Sequence, residues 1–189
     1  NWIILYIFFE INLIKELGYD TNLNIFNEDK NNLNHLKRKQ YSKKISVIKG
    51  GKERSDSSLK ALKYLKKYKP LNVYIHDAAR PNFSTKLLKK ISKNLKKNIA
   101  VVPFVYSKDS VKYKIKNQMF NLNRKNSLLT QTPQAFRFKK LFNLAFKEKN
   151  KINDEATLFL NNNSKIKFIY GENQNIKITY LDDLEKSKT

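Results

Sequence analysis

From residue 45 onward, short apolar segments alternate with amphipathic segments, and this alternation constrains the fold more than any other feature. The strand-like segments are 45–48, 73–75, 99–106 and 166–170, and the helix-like segments between them are 55–69, 84–95 and 138–148. Strands that alternate with helices in this way predict an α/β fold with a mostly parallel sheet, helices on both faces and right-handed crossovers. In such sheets ligands bind outside the carboxyl ends of the strands.

Other parts of the chain add detail to this Rossmann-like arrangement. Residues 109–135 hold short extended stretches with polar turns, which predict a β-arm around 109–130 rather than another strand–helix unit. Towards the end we expect a short helix over 154–160, a strand over 176–179 and a closing helix from 181. Ser55 or Asp56 is expected to cap the first helix, and Ser84 the second.

The net charge of +23 across 189 residues is the most extreme bulk property. It leaves open a basic nucleic-acid-binding module, because clustered positive charge binds polyanions. The lysines, however, are spread over every segment, which favours biased composition over a nucleic-acid interface. The same bias makes the five arginines informative, since a planar bidentate donor is retained where lysine would not serve.

The composition also bears on compartment and membrane. The chain has no cysteine, which excludes disulfides and cysteine-based metal sites and suits a reducing cytoplasm. The apolar run over 2–9 is far shorter than the ~20 residues that a membrane span needs, and it lacks the flanks of a signal peptide. Because the first residue is Asn rather than Met, we expect that the true start of the protein is not in view.

A polar turn follows the predicted strand 73–75, with the sequence His-Asp-Ala-Ala-Arg-Pro over 76–81. Asp77 at the end of a parallel strand could hold Mg²⁺, which prefers one or two carboxylates together with substrate oxygens. Arg80 offers a forked donor for phosphate. The alternative is an ordinary strand-ending turn in which Asp77 is a cap and Pro81 stops the strand.

Four further motifs follow the same order as in a known family. They are Gly50-Gly51-Lys52-Glu53-Arg54 with Ser57, Gln131-Thr132-Pro133-Gln134-Ala135-Phe136, Asn153-Asp154-Glu155-Ala156, and Gly171 with Asn175-Ile176-Lys177-Ile178-Thr179 and Asp183-Leu184. Together with the 76–81 turn they resemble the 2-C-methyl-D-erythritol 4-phosphate cytidylyltransferases, which belong to the nucleotide-diphospho-sugar transferase superfamily. The resemblance covers residues 50 to 184.

That resemblance implies transfer of a cytidylyl group from CTP to methylerythritol 4-phosphate, with release of pyrophosphate, in isoprenoid precursor synthesis. A related activity on another polyol phosphate, such as ribitol 5-phosphate, is the alternative. The implied cofactor is Mg²⁺ or another divalent cation, held by Asp77. The implied assembly is a homodimer formed through the 109–130 arm, without membrane or nucleic-acid partners.

The family's site residues carry over onto particular positions of this chain. The implied nucleotide-binding residues are Gly50, Gly51, Ser57, Asp77 and Ala78. The implied substrate-binding residues are Arg80, Ser110, Arg124, Thr132 and Lys177, of which Lys177 and Arg124 would be catalytic. Arg124 would reach the substrate phosphate from the partner subunit.

The family's opening Ala-Ala-Gly-x-Gly-x-Arg loop has no counterpart here, because none of the four glycines forms a Gly-x-Gly. Residues 1–44 match the family poorly, so we interpret 1–189 as a single cytidylyltransferase-like domain that is incomplete at its N-terminus. Gene truncation is preferred over a diverged relative. We therefore expect this chain, as written, to have little or no transferase activity. Some family members are fused to a cyclodiphosphate synthase, and the sequence leaves open whether a second domain follows.

Overall fold

The computed structural model describes residues 2–7, 46, 48–148 and 152–183. Its main sheet has six strands, and a separate sheet has two. The main-sheet strands are β1 Trp2–Ile7, β2 Asn72–Asp77, β3 Ala100–Tyr106, β6 Leu128–Thr130, β7 Gln134–Arg137 and β8 Lys167–Tyr170. The helices are α1 Arg54–Leu65, α2 Thr85–Leu95, α3 Phe138–Lys147 and α4 Glu155–Asn161, and a 3₁₀ turn, Lys66–Tyr68, extends α1.

The sheet is mixed in strand direction. β2 pairs in parallel with β1, and β3 pairs in parallel with β8. Between these two parallel pairs lies β7, which is antiparallel to both β2 and β3, while β6 is antiparallel to the second half of β3. The predicted α/β fold is confirmed, and its parallel character belongs to the β1–β2 and β3–β8 pairs.

Helices pack on both faces of the sheet because successive strand residues point in opposite directions. Val73 and Ile75 of β2 contribute to the larger core, whereas Tyr74 between them contributes to the smaller one. The larger core joins the sheet to α1, α3 and α4, with Phe136 stacked on Phe159 at a centroid distance of 5.0 Å. The smaller core joins the sheet to α2.

The predicted arm is present as a two-stranded antiparallel hairpin. Its strands are β4 Val111–Ile115 and β5 Gln118–Leu122. Every residue from 112 to 126 is exposed, so the hairpin stands away from both cores. A two-stranded ribbon buries little apolar surface and is marginal by itself in water.

Some local predictions differ from the structure. Glu53, rather than the predicted Ser55 or Asp56, is the N-cap of α1, and it forms a reciprocal capping box with Asp56. Residues 46 and 48 have no strand structure, whereas 45 and 47 lie outside the described residues. The predicted strand 176–179 is wrong: this segment is an irregular loop whose Ile178 N–H donates to the carbonyl of Ala79.

Ser84 caps α2 as predicted, since its side chain accepts a hydrogen bond from the backbone of Leu87. Residues 181–183 are helical, in agreement with the predicted closing helix, of which the remainder lies outside the described residues. Over the ranges that the structure describes, no helix combines the length and the apolar character needed to cross a bilayer.

Candidate functional site

The turn after β2 and the loop after β8 form the centre of the site. The turn closes with a hydrogen bond of 3.1 Å from the Arg80 N–H to the Asp77 carbonyl. In the same turn the carbonyl of Ala79 accepts a hydrogen bond from the Ile178 N–H at 2.8 Å. This second bond places the segment that carries Lys177 beside the turn that carries Asp77. Two segments that are distant in the sequence are thus adjacent in the structure.

The Asp77 carboxylate lies between two guanidinium groups. Arg54 Nη2 is 3.7 Å from Asp77 Oδ1, and Arg80 Nε is 3.5 Å from Asp77 Oδ2. Both separations are longer than the 2.7–2.9 Å of a strong charge-assisted hydrogen bond. Asp77 is therefore partly neutralised, yet its oxygens are not engaged in close bidentate pairing. With a side chain that is 15% exposed, it can still accept a ligand.

Arg80 donates hydrogen bonds to backbone carbonyls of neighbouring segments. Its Nη1 donates to the carbonyl of Asn175 at 2.9 Å, and its Nη2 lies 3.5 Å from the carbonyl of Thr130. The guanidinium thereby links the β2 turn to β6 and to the loop after β8. The phosphate-binding role implied for Arg80 stays a prediction, and the visible role of the side chain is to position these segments.

The side chains of Thr132 and His76 are buried, with exposures of 3% and 2%, and they form a chain of hydrogen bonds that ends at the backbone N–H of Asp77. The His76 Nε2 must donate to the Arg80 carbonyl at 2.9 Å, because a carbonyl can only accept. His76 Nδ1 is then the acceptor, and it receives the Thr132 hydroxyl at 3.0 Å. The Thr132 oxygen in turn accepts the Asp77 N–H at 3.0 Å. The Thr132 hydroxyl therefore helps to fix the backbone of Asp77.

We expect His76 to make the stability of the fold depend on pH. Burial lowers its pKa, against the smaller opposing effects of the Arg80 carbonyl and the Asp77 charge. The unfolded chain binds a proton near pH 6.5, whereas the folded chain does so only at lower pH, so the free energy of unfolding decreases as the pH falls below about 6.5. The slope that His76 adds is at most about 1.4 kcal/mol per pH unit.

Urea denaturation of the wild type and of His76→Gln at pH 5 to 7.5 measures this contribution. Glutamine can keep one donor and one acceptor, but it does not titrate. The difference in free energy of unfolding between the two proteins should be constant above about pH 7 and should narrow as the pH falls below about 6.5. Equal pH dependence in both proteins would show that His76 does not titrate between the folded and unfolded states.

The glycine loop folds against the first turn of α1. The Gly51 N–H donates to the Ser57 hydroxyl at 2.6 Å, and Lys60 Nζ donates to the Gly50 carbonyl at 2.7 Å. A side chain at Gly51 would bring its Cβ to 2.1 Å from the Cβ of Asp56, so the close approach requires glycine. The structure thus joins Gly50, Gly51 and Ser57 into one local unit, as their spacing indicates.

Arg54 and Glu155 are part of the site, although neither was among the predicted site residues. Arg54 Nη1 and Nη2 donate to the two oxygens of Glu155 at 2.9 and 2.8 Å, and Ser58 donates to Glu155 Oε1 at 2.6 Å. Burial by itself would lower the pKa of Arg54, but Glu155, Asp77 and Asp154 outweigh it and raise that pKa. Two signals pointed here: a scarce arginine in the glycine motif, and a glutamate in the 153–156 motif.

Ser110 and Arg124 lie on the arm and are exposed. Arg124 Nη1 donates to the Lys108 carbonyl at 3.3 Å, which is a contact within the arm region. Within one chain the structure groups these two residues with the hairpin rather than with the Asp77 turn. Their implied contribution to a partner's site stays a prediction.

A divalent cation is compatible with this site only if substrate supplies most of its ligands. In the part of the chain that is described, no three His, Cys, Asp or Glu side chains come together as a metal cage. Asp77 offers one accessible carboxylate, and Mg²⁺ is commonly bound by one or two carboxylates together with substrate phosphates. The donor set therefore fits a cation that arrives with a nucleotide, and Asp77 is the residue that would hold it.

Comparison with known proteins gives a consistent result. A family model described as IspD: 2-C-methyl-D-erythritol 4-phosphate cytidylyltransferase matches residues 20–189. The bifunctional enzyme IspD/IspF of Pelagibacter ubique is 49% identical over 143 residues, which cover 76% of this chain and 38% of that protein. The 2-C-methyl-D-erythritol 4-phosphate cytidylyltransferase of Thermosipho africanus is 33% identical over 152 residues, which cover 77% and 67%.

Solved structures show the same likeness. The 4-diphosphocytidyl-2C-methyl-D-erythritol synthase of Anaerococcus prevotii superposes with a TM-score of 0.71 at 29% identity, over 98% of this chain and 77% of that one. The bifunctional IspDF of Campylobacter jejuni superposes with a TM-score of 0.68 at 29% identity, over 82% of this chain and 39% of that one. This chain spans little more than a third of the two bifunctional proteins.

Proposed function

The chain belongs to the 2-C-methyl-D-erythritol 4-phosphate cytidylyltransferase family, and from that premise we propose that it transfers the cytidylyl group of CTP to 2-C-methyl-D-erythritol 4-phosphate and releases pyrophosphate. The observation that carries the proposal is the bond from the Ile178 N–H to the Ala79 carbonyl. It supports a site in which the Asp77 carboxylate and the Lys177 ammonium group serve the same phosphates.

In the proposed reaction a phosphate oxygen of the acceptor attacks the α-phosphorus of CTP. The bond between that phosphorus and the oxygen that bridges to the β-phosphate breaks, and pyrophosphate leaves with this oxygen. The residues have to align the two phosphates and offset their negative charge, and no covalent intermediate with the protein is required. Lys177 would stabilise the charge that develops on the reacting phosphates. Arg124, from a partner arm, would hold the acceptor phosphate.

The nucleotide would lie between the glycine loop and the β2 turn. Gly50, Gly51 and Ser57 would contact the cytosine, while Asp77 and Ala78 would face the ribose and phosphates. A divalent cation, Mg²⁺ in our proposal, would be held by Asp77 and would offset the negative charge of the phosphates. Arg80 and Thr132, which hold Asp77 and its turn, would line the acceptor side.

The arm supports the proposal of a homodimer. Its two strands expose large apolar side chains on a hairpin that packs on neither core, and such surface is usually covered by a partner. These side chains are Tyr113, Ile115, Met119, Phe120 and Leu122, each more than 40% exposed. A cytoplasmic location completes the proposal and accords with a chain that lacks cysteine.

The proposal is tested by incubating the full chain with CTP, Mg²⁺ and either methylerythritol 4-phosphate or ribitol 5-phosphate. We expect Mg²⁺-dependent CTP binding by calorimetry, and pyrophosphate release that requires methylerythritol 4-phosphate. The same assay measures whether turnover is as small as the missing Gly-x-Gly predicts. Absence of CTP binding at millimolar CTP and Mg²⁺ would contradict the proposed function, and faster turnover of ribitol 5-phosphate would change its substrate.

A further inference from the structure

Arg54 lies between two carboxylates and pairs closely with only one of them. It makes two hydrogen bonds of 2.9 and 2.8 Å to Glu155, but its Nη2 is 3.7 Å from Asp77 Oδ1. Glu155 is 1% exposed, whereas the side chain of Asp77 is 15% exposed. The guanidinium of Arg54 therefore pairs with the more buried carboxylate, that of Glu155. The more exposed carboxylate, that of Asp77, keeps only a long contact with Arg54.

Burial explains why Arg54 pairs with Glu155 rather than with Asp77. An ionised carboxylate removed from water is tolerated only when it is paired and hydrogen-bonded. Arg54 and Ser58 together satisfy both Glu155 oxygens, with the Ser58 hydroxyl at 2.6 Å. Moving Arg54 onto Asp77 would leave Glu155 as a buried charge without its cation, so the observed arrangement is the lower in free energy.

The neighbouring Asp154 cannot take the place of Glu155, because its own oxygens are occupied. Oδ1 accepts from the N–H and hydroxyl of Thr157 at 3.0 and 2.8 Å. Oδ2 accepts from Gln134 at 3.0 Å and faces Thr130 at 3.3 Å. Asp154 thus caps α4 and fixes where Glu155 begins the helix.

We propose that Glu155 is a positioning residue that holds Arg54 away from direct pairing with Asp77, and so keeps Asp77 Oδ1 free for the cation that accompanies the nucleotide. The inference rests on the proposed function, in which Asp77 faces that cation. A guanidinium in close bidentate contact would occupy the lone pairs of Asp77 and place a positive charge where the metal has to bind. Arg54 at 3.7 Å still helps to orient Asp77 without blocking it.

The test compares Glu155→Gln with the double variant Arg54→Gln/Glu155→Gln in the full chain. In Glu155→Gln, Arg54 loses its charged partner and should turn to Asp77. We expect the Mg²⁺ concentration for half-maximal CTP binding, measured by calorimetry, to rise about tenfold, as for other residues that orient a metal ligand. In the double variant Arg80 stays at Asp77 Oδ2, as in the wild type, but no guanidinium is left to close on Oδ1, so the midpoint should return to within about twofold of wild type.

A purely structural role predicts a different pattern. Removing both residues would then be at least as harmful to the Mg²⁺ midpoint as removing Glu155 alone, and that result would overturn the proposal. Glu148→Gln removes the same charge at the end of α3 and is expected to leave the midpoint unchanged. Circular dichroism at the assay temperature confirms that each variant is folded.

A ligand-free crystal structure of Glu155→Gln separates this inference from the proposed function. We expect the distance from Arg54 to Asp77 to shorten from 3.7 Å to about 2.9 Å. An unchanged distance would overturn the inference whether or not the chain binds CTP, whereas a wild type that binds no CTP would contradict the proposed function alone.

If Glu155→Gln does not fold, Glu155→Asp serves in its place. This variant keeps the charge but withdraws the carboxylate from Arg54, and an intermediate rise in the Mg²⁺ midpoint is expected. No rise would overturn the inference.

Discussion

Replacing Lys177 with methionine is expected to slow pyrophosphate release from CTP by about 100- to 1000-fold relative to the rate of the wild-type chain, however small that rate is. This is the usual effect of losing one positioned group that stabilises transition-state charge. Methionine keeps the length of the side chain and removes only its charge and donors. The half-buried Lys177 directly precedes Ile178, whose N–H donates to the turn that carries Asp77, so the backbone of Lys177 is held beside that turn. Single-turnover assays with saturating CTP and methylerythritol 4-phosphate measure the effect.

The control for this substitution is Lys167→Met. Lys167 is an exposed lysine on β8, the strand that precedes the Lys177 loop, and its replacement should change turnover by no more than about twofold. Calorimetric CTP affinity provides a second measurement that does not depend on fast chemistry. Equal behaviour of the two variants would remove Lys177 from the site and leave it as one solvated lysine among many.

Replacing Arg54 with methionine is expected to lower the free energy of unfolding by about 3–5 kcal/mol, because it leaves the carboxylate of Glu155 buried without its cation. Glu155 is 1% exposed, so water cannot take the place of the guanidinium. A loss of this size is a large share of the 5–15 kcal/mol by which a domain is usually stable. Urea denaturation at pH 7.5 measures it, with equal slopes as evidence that both proteins unfold in the same way.

Two controls distinguish this effect from a general cost of removing arginine. Arg124→Met removes an exposed arginine from the arm and should change stability by less than about 0.5 kcal/mol. The double variant Arg54→Met/Glu155→Leu removes both buried charges and should recover most of the loss, because an apolar pair of similar volume leaves no charge uncompensated. A double variant less stable than Arg54→Met would show that the loss comes from packing rather than from the buried charge.

Much of the fold could be predicted from the local pattern of apolar residues. The main predictions that differ from the structure concern pairings between segments that are distant in sequence. β2, β3, α2 and α3 were predicted to within one or two residues, because the two strands are short continuous apolar runs and the two helices have apolar positions at the helix period. The segment 176–179 has the residues of a strand but bonds to the Ala79 carbonyl instead of to a ladder. The antiparallel β7 could not be foreseen either, since strand direction depends on pairings that are distant in sequence.

The candidate site shows a similar division. The Asp77 turn, the glycine loop and Lys177 were found from motifs, and the structure places the turn beside the Lys177 segment. Glu155 was overlooked as a site residue because a buried glutamate and an exposed one look alike in sequence. Its importance comes from an arginine 101 positions away. Arg80 was assigned to phosphate from its residue type and from the resemblance, and that role stays a prediction. Its hydrogen bonds to the backbone carbonyls of Asn175 and Thr130 could not be read from any motif.

The two hydrogen bonds that tie the β2 turn to the loop after β8 also affect how ligands would influence one another. The Ala79 carbonyl is fixed to Ile178, and the Arg80 guanidinium is fixed to Asn175, so neither segment can shift alone. A phosphate that draws in Lys177 would therefore also move the Asp77 carboxylate. Such coupling is reciprocal by thermodynamic necessity, so the nucleotide would tighten cation binding by the same factor by which the cation tightens nucleotide binding.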